Sequence, residues 1–325
     1  MNRNAKMKLL FVCIAVLLVI VLLYSGLRFL ESTVFYNQQE ELSGETRWIL
    51  RDGVYYYPRQ DIVVVMLMGI DREGEVTGTE ADRGHTADMI ALMVFDEQNE
   101  ECQILLLNRD TMVMMNGLDE SGRVSGKYYS QLALSHAYGS GLEDSCENVR
   151  NTVSNMLYGI TIDHYISMNM GGIAVLNDAV GGVTVQVTDD FSAIDPSITL
   201  GEVTLSGQQA VHFVRTRKGL GDQLNLSRIE RHETYFYGLM EVVQEKVGED
   251  SGFALTLYSE ISPYIVTDCS ANVLSDMIGR YADYKLVEIV TTEGTNTKGN
   301  KYMEFYVDEE QLDGLILQLF YAPKQ

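Results

Sequence analysis

Positive charge is scarce in this sequence. Its 325 residues hold 24 Lys+Arg against 46 Asp+Glu, a formal net charge of -22. Four of the basic residues (Arg3, Lys6, Lys8, Arg28) and none of the acidic ones precede position 31, so residues 31–325 carry 20 basic and 46 acidic side chains, a formal charge of -26. That balance argues against binding nucleic acid or docking on an anionic membrane face. An anionic ligand must then be held by locally grouped arginines or by a metal ion. Cysteine is scarce too: Cys13, Cys102, Cys146 and Cys269. Three lie beyond residue 31, which permits one disulfide at most, and none shows C-x-x-C spacing. His85, His136, His164, His212 and His232 form no H-x-x-H or HExxH pattern, which argues against zinc. There is no G-x-S-x-G, no Walker A and no dinucleotide fingerprint. Internal repeats and low-complexity segments are also missing.

What is present begins with a long apolar run. Leu9 to Leu27 spans 19 residues without a charge, about the length that crosses a bilayer core as a helix. The basic flank before it predicts a cytoplasmic tail (1–8), an anchor (9–27) and an exported remainder, a single-pass type II topology. A cleaved signal peptide is the alternative, but its apolar core is usually shorter and no small-x-small site follows Ser25-Gly26. Residues 28–60 read as a stalk. Within it Arg51-Asp52-Gly53 divides two apolar segments, a hairpin signal closed by Pro58. Residues 61–325, about 265 of them, suffice for one large domain resting on its own hydrophobic core.

The continuous apolar run Ile62 to Met68 suits a strand covered on both faces. Met89 to Phe95 and Gln103 to Leu107 read as two more strands, paired antiparallel across the acidic turn 96–100. Ser130 to Tyr138 and Val149 to Leu157 have helical spacing. Val183 to Val187 alternates as a strand after Gly181-Gly182. Arg228 to Val247 is a long amphipathic helix. The tail alternates helix (Ala271–Tyr281), strands (Leu286–Thr291, Tyr302–Val307) and helix (Glu309–Phe320). Strands alternating with helices predict an α/β fold, layered α/β/α on a mixed sheet. The abundant Tyr and Met residues read mainly as packing, with a minority lining a ligand groove.

Several residues carry chemistry. Asp71 follows a buried strand and a glycine, at a strand end where ligands gather in α/β proteins. Asp88 precedes the next strand. Together they suit one divalent cation, although each alone also reads as a turn-capping aspartate. Arg109-Asp110 ends the strand Gln103–Leu107 and reads alternatively as a surface ion pair. Arg215 and Arg217 share a face if Val211 to Arg217 is a strand. Ser227 and Glu230 match an S-x-x-E capping box, which places Arg228 and Arg231 in the first turn of a helix. The helix dipole disfavours cations there, so their removal should cost little stability unless an anion binds between them. Guanidiniums grouped beside isolated aspartates are what a metal-bound pyrophosphate requires.

Taken in order, these pieces resemble the LytR-CpsA-Psr family of bacterial cell-envelope proteins. The likeness runs through Met66-Leu67-Met68-Gly69-Ile70-Asp71, Ala87-Asp88-Met89-Ile90, Asn108-Arg109-Asp110-Thr111, Ala137-Tyr138-Gly139 and Ile162-Asp163-His164-Tyr165. It continues through Asp178-Ala179-Val180-Gly181-Gly182-Val183, Leu205-Ser206-Gly207-Gln208-Gln209-Ala210, Val214-Arg215-Thr216-Arg217 and Arg228-Ile229-Glu230-Arg231. The resemblance implies a domain that binds a polyprenyl pyrophosphate and transfers the attached glycopolymer, as a phosphodiester, onto peptidoglycan. It implies Mg²⁺ (or Mn²⁺) on Asp71 and Asp88. Arg109, Arg215, Arg217, Arg228 and Arg231 would hold the pyrophosphate, and the polyprenyl tail would fill an apolar groove between sheet and helices. Asp88, Arg109 and Asp110 would be catalytic, with Asp88 or Asp110 taking the proton of the attacking hydroxyl. Departures from the common pattern fall at Thr86, where arginine is usual, at Gln131 (lysine), at Asn225 (aspartate) and at His232 (glutamine). Two other readings stand beside transfer: hydrolysis of the pyrophosphate at the same site, and a non-catalytic module that binds lipid-linked glycans.

Overall fold

The computed structural model describes residues 48–79, 82–216, 225–299 and 302–323. The anchor expected at Leu9–Leu27 and most of the stalk lie outside them, as does Arg217. Among the described residues no helix is long and apolar enough to cross a membrane. Among the described residues, 48–58 and Pro323 belong to one compact unit and those within Arg59–Ala322 to the other.

In the first unit β1 (Ile49–Arg51) and β2 (Val54–Pro58) pair antiparallel around Asp52-Gly53. Both turn residues have positive φ, 51° and 78°, the two-residue turn that matches strand twist and that Asp-Gly tolerates. The hairpin read from the sequence is the one found.

The second unit opens with three consecutive strands, β3 (Ile62–Ile70), β4 (Ala87–Asp96) and β5 (Glu101–Leu107). They are antiparallel neighbours, β4 with β5 as expected and β3 with β4 as well. A hairpin, β6 (Met112–Leu118) with β7 (Val124–Gln131), follows. The helix expected over Ser130–Tyr138 shrinks to one turn, α1 (Leu134–Ala137), because Ser130 and Gln131 are claimed by pairing with Val113 and Met112. Then come α2 (Leu142–Met156), β8 (His164–Asn169) and α3 (Met170–Ala179). β9 (Val183–Val187) buries Val183, Val185 and Val187 and exposes Thr184 and Gln186. It pairs with β10 (Gly201–Leu205). Next are α4 (Gly207–Arg215), α5 (Asn225–Glu249), α6 (Phe253–Ile261), β11 (Ile265–Thr267) and α7 (Ala271–Tyr281). β12 (Lys285–Thr291), the hairpin β13 (Gly294–Lys298) and β14 (Met303–Val307), α8 (Glu309–Phe320) and the short β15 (Tyr321–Pro323) complete the order.

The central sheet is mixed, in the order β11-β8-β3-β4-β5-β12. β8 runs parallel to β3 and β12 parallel to β5. β3 is buried on both faces, Val64, Met66 and Met68 alternating with Val65, which explains its unbroken apolar sequence. One face packs Val65, Met93, Ile104 and Leu106 under Phe236 of α5 and Tyr281 of α7. Phe95 stacks on Tyr281 there, ring centroids 4.3 Å apart. A second core lies beyond the sheet, where Val183, Val185 and Val187 meet Phe213 of α4 and Tyr235 of α5. The thiols of Cys102, Cys146 and Cys269 are all free and buried.

Candidate active site

The site begins where the β3–β4 ladder slips. Gly69 opposes Met89 and Ile70 opposes Ala87, so Asp88 is an extra residue in β4. A bulge of this kind breaks the alternation and re-aims a side chain. Gly69 allows the strands to close there, since a Cβ on it would lie 3.2 Å from Met89 Cβ. Asp71 stands just past the end of β3. Its N–H donates to Thr86 O at 2.9 Å, and His85 Nδ1 donates to Asp71 O at 2.8 Å. The two expected metal carboxylates are thereby brought to one end of the sheet.

Two arginines converge on Asp88. Arg109 Nη1 donates to Oδ1 at 2.5 Å and Arg228 Nη1 approaches Oδ2 at 3.4 Å, while Arg228 Nη2 donates to the Asp88 carbonyl at 3.2 Å. Thr86 Oγ1 donates to Oδ1 at 2.8 Å. The departure at Thr86 therefore places a neutral donor on the site carboxylate. Arg215 reaches the same end from the last turn of α4, a position the helix dipole favours for a cation. It lies 3.4 Å from Asp71 Oδ1 and also pairs with Glu73. Asp110 sits 3.6 Å from Arg109 Nε and accepts from Gln131 Nε2 at 2.9 Å.

Arg231 points elsewhere. It is 4% exposed, donates to Phe213 O at 2.8 Å and to Thr216 O, and pairs with Asp189 at 2.5 Å. It ties α5 to the end of α4 and to the loop after β9. Burial lowers its pKa, against the Asp189 carboxylate. The capping box expected at Ser227–Glu230 is not formed, because α5 already includes Asn225. Nor is Val211–Arg215 a strand. It belongs to α4, whose own capping box joins Ser206 and Gln209, the Ser206 N–H donating to Gln209 Oε1 at 2.8 Å.

An apolar cavity of about 290 Å³ opens from this corner. Asp88, Arg215, Arg228 and His232 stand among its polar lining, and Met68, Ile166, Ile173, Leu239 and Leu274 among its apolar walls. It lies between the sheet and helices α3, α5, α6 and α7. His232 Nε2 donates to Val214 O at 3.0 Å. Burial, reinforced by the charge of Arg228, pushes its pKa down to about 3. The ring is therefore neutral at physiological pH and adds no charge to the cavity.

Sequence reasoning thus located Asp71, Asp88, Arg109, Asp110, Arg215 and Arg228 at one corner. It missed Glu73 and Asp189, which hold two of the arginines. Glu73 gave a usable signal, lying two residues beyond Asp71 in the loop that follows β3.

A model of the LytR_cpsA_psr family matches residues 32–320. A polyisoprenyl-teichoic acid–peptidoglycan teichoic acid transferase, TagU of Oceanobacillus iheyensis, is 27% identical over 269 residues, 79% of this chain and 75% of that one. TagU of Bacillus subtilis is 23% identical over 275 residues, covering 83% and 80%. Among solved structures, Bacillus subtilis TagV superposes with a TM-score of 0.64 at 20% identity, covering 80% of this chain and 96% of that one. TagT bound to LI-WTA gives 0.61 at 20% identity, covering 80% and 90%.

Proposed function

The chain belongs to the LytR-CpsA-Psr family, and from that premise we propose that it is a phosphotransferase moving a glycopolymer from a polyprenyl-pyrophosphate carrier onto peptidoglycan. One observation carries the reading. Arg228, buried to 3% exposure, and Asp88 stand at the polar end of a 290 Å³ apolar cavity. A ligand with a doubly anionic head and a hydrocarbon tail matches both ends. The tail gains by leaving water. The head gains charge-assisted hydrogen bonds from Arg109, Arg215 and Arg228.

Asp71 and Asp88 suit a magnesium ion. They are hard oxygen donors, Asp88 in β4 and Asp71 just past the end of β3, and the Asp71 carboxylate is about half exposed with a long contact to Arg215. Magnesium commonly takes one or two carboxylates and completes its shell with phosphate oxygens and water. Bound there, it would draw negative charge from the pyrophosphate. The protein's own groups do the rest. The guanidiniums hold the phosphate oxygens in place and stabilise charge on the departing polyprenyl phosphate. A sugar hydroxyl attacks the phosphorus that bears the glycopolymer, in line with the phosphoanhydride bond that breaks. Asp88 or Asp110 accepts the hydroxyl proton.

The test is transfer of labelled glycopolymer from a polyprenyl-pyrophosphate donor to peptidoglycan. Asp71→Ala and Arg228→Ala should each reduce transfer by at least about 10²-fold, the loss typical of removing one charge-stabilising group. Full transfer by both variants overturns the site. Release of phosphate products without a bond to peptidoglycan identifies a hydrolase instead.

A further inference from the structure

Two hairpins stand beside the Arg109–Asp110 corner, and they share an exposed face. On β6 and β7, Met114 pairs with Tyr129, and each is 55% exposed. The neighbours of Met114 along β6, Val113 and Met115, are buried. On β14, Phe305 is buried and Tyr306 and Glu304 turn outward, as alternation requires. Tyr302, just before this strand, is 64% exposed. Thr111 bridges Phe305 in parallel, and the Phe305 N–H donates to Asp110 O at 2.9 Å, so the hairpins abut. Tyr306 Oη donates to Glu304 Oε2 at 2.8 Å. That bond raises the pKa of the phenol, and the nearby Tyr129 hydroxyl adds to the rise. Gln131, two residues on from Tyr129 in β7, bonds Asp110 Oδ1 at 2.9 Å and Met303 O at 2.7 Å. The tyrosine face therefore runs directly into the catalytic corner.

A contiguous exposed face of large side chains is uncommon on a protein that needs no partner there. This one is chemically mixed: flat rings with polar tips, interleaved with Glu304 and Lys127. Tyrosine offers an apolar ring face and a hydroxyl at low entropic cost. Sugar rings present the complement, a C–H face to stack and hydroxyls to hydrogen-bond. A polyanion is disfavoured, because Glu304 sits in the face and residues 31–325 carry a formal charge of -26. We infer that this face is the acceptor platform, on which the uncharged sugar backbone of a peptidoglycan strand lies so that one hydroxyl reaches the Arg109–Asp110 corner. The inference rests on the transferase reading for its consequence, though glycan binding itself does not.

The experiment uses the full chain in detergent and two probes: insoluble peptidoglycan stripped of teichoic acid, and soluble teichoic acid. Wild type should co-sediment with the peptidoglycan, and soluble teichoic acid should not displace it. Tyr129→Ala with Tyr306→Ala should weaken co-sedimentation by about tenfold, whereas Tyr129→Phe with Tyr306→Phe, which keeps the rings, should stay within about twofold. Met114→Glu, at an exposed position, gives a second way to block the face without touching a tyrosine. It should weaken binding comparably. Affinity for the polyprenyl-pyrophosphate donor, whose cavity is not lined by Met114, Tyr129 or Tyr306, should be unchanged in all of these variants. Wild-type binding by the Ala pair and by Met114→Glu overturns the platform. Displacement of wild type by teichoic acid overturns the choice of occupant. Because co-sedimentation needs no donor, a failure of the transferase reading would leave this result standing.

Discussion

Arg228 and Arg231 are three residues apart on one helix and have different fates. Sequence reasoning treated them alike, as cations misplaced at a helix start and therefore cheap to remove. The structure separates them. Arg231 is enclosed by Asp189 and two carbonyls. Removing one partner of a buried pair typically costs about 3–5 kcal/mol. Arg231→Ala should therefore lower the urea midpoint strongly. Arg228→Ala leaves Asp88 its bond to Arg109, so its stability loss should be much smaller, while pyrophosphate-lipid affinity falls by about 1.5–3 kcal/mol for each charge-assisted bond lost. Arg228→Lys keeps the charge without the two-pronged geometry and should restore part of that affinity. Equal stability losses at both positions would refute the separation. The residue types were legible in the sequence. Their partners were not, because Asp189 and Phe213 reach Arg231 only through tertiary packing.

The histidines give a pH signature. Burial lowers the pKa of His136 to about 4, opposed by its hydrogen bond to His85 O, and that of His232 to about 3. Unfolded, both titrate at about 6.5. Between those values the unfolded chain binds more protons than the folded one, so stability is full above pH 6.5 and declines as pH falls toward 3 to 4. Melting temperature followed from pH 7 to 4.5 should show that decline. His232→Gln should flatten it; an unchanged slope in that variant would show that His232 is not the source.

Among the elements, α4 is the instructive miss. A strand over Val211 to Arg217 is the condition on which Arg215 and Arg217 share a face, yet Ser206 and Gln209 spell a capping box and Val211–Arg215 is helical. Conversely, the box at Ser227–Glu230 was legible but false, because α5 includes Asn225. Local signals mark helix starts only when the preceding residues are free to leave the helix. α7 and α8 were read with their observed boundaries, since a polar cap, Ser270 and Asp308 respectively, precedes each apolar repeat. The approach of α5 to β9 gives a prediction. A Cβ on Gly238 would run into the Thr184 carbonyl and lie 2.9 Å from Val183 Cγ1. Alanine gains about 1 kcal/mol of helix propensity over glycine, but overpacking costs about 1–3 kcal/mol. Gly238→Ala should be neutral to destabilising, read from its urea midpoint. A clearly stabilised variant would mean that the helix can shift away from β9.

For the whole molecule, the α/β character was legible because strands buried on both faces read as unbroken apolar runs. Strand order was not, since β12 joins β5 in parallel from far along the chain, and no local pattern records such a pairing. The type II anchor proposed for Leu9–Leu27 belongs to this scale. Protease added to intact cells should digest residues 31 onward and spare a membrane-held fragment. Protection of that whole region would refute the topology.

The three buried thiols set a limit on how this protein can fail. Burial pushes the Cys102 and Cys146 thiols up to about 12 and raises Cys269 as well, so none offers the thiolate through which sulfur reacts. Outside a reducing cytoplasm, only the fold keeps these sulfurs reduced. Each opening that wets a thiol exposes it to oxidation or to crosslinking with the wrong partner, and the chain does not close again as before. Durability in the cell envelope then becomes a matter of how seldom the core opens, a rate, more than of how far the balance favours the folded form.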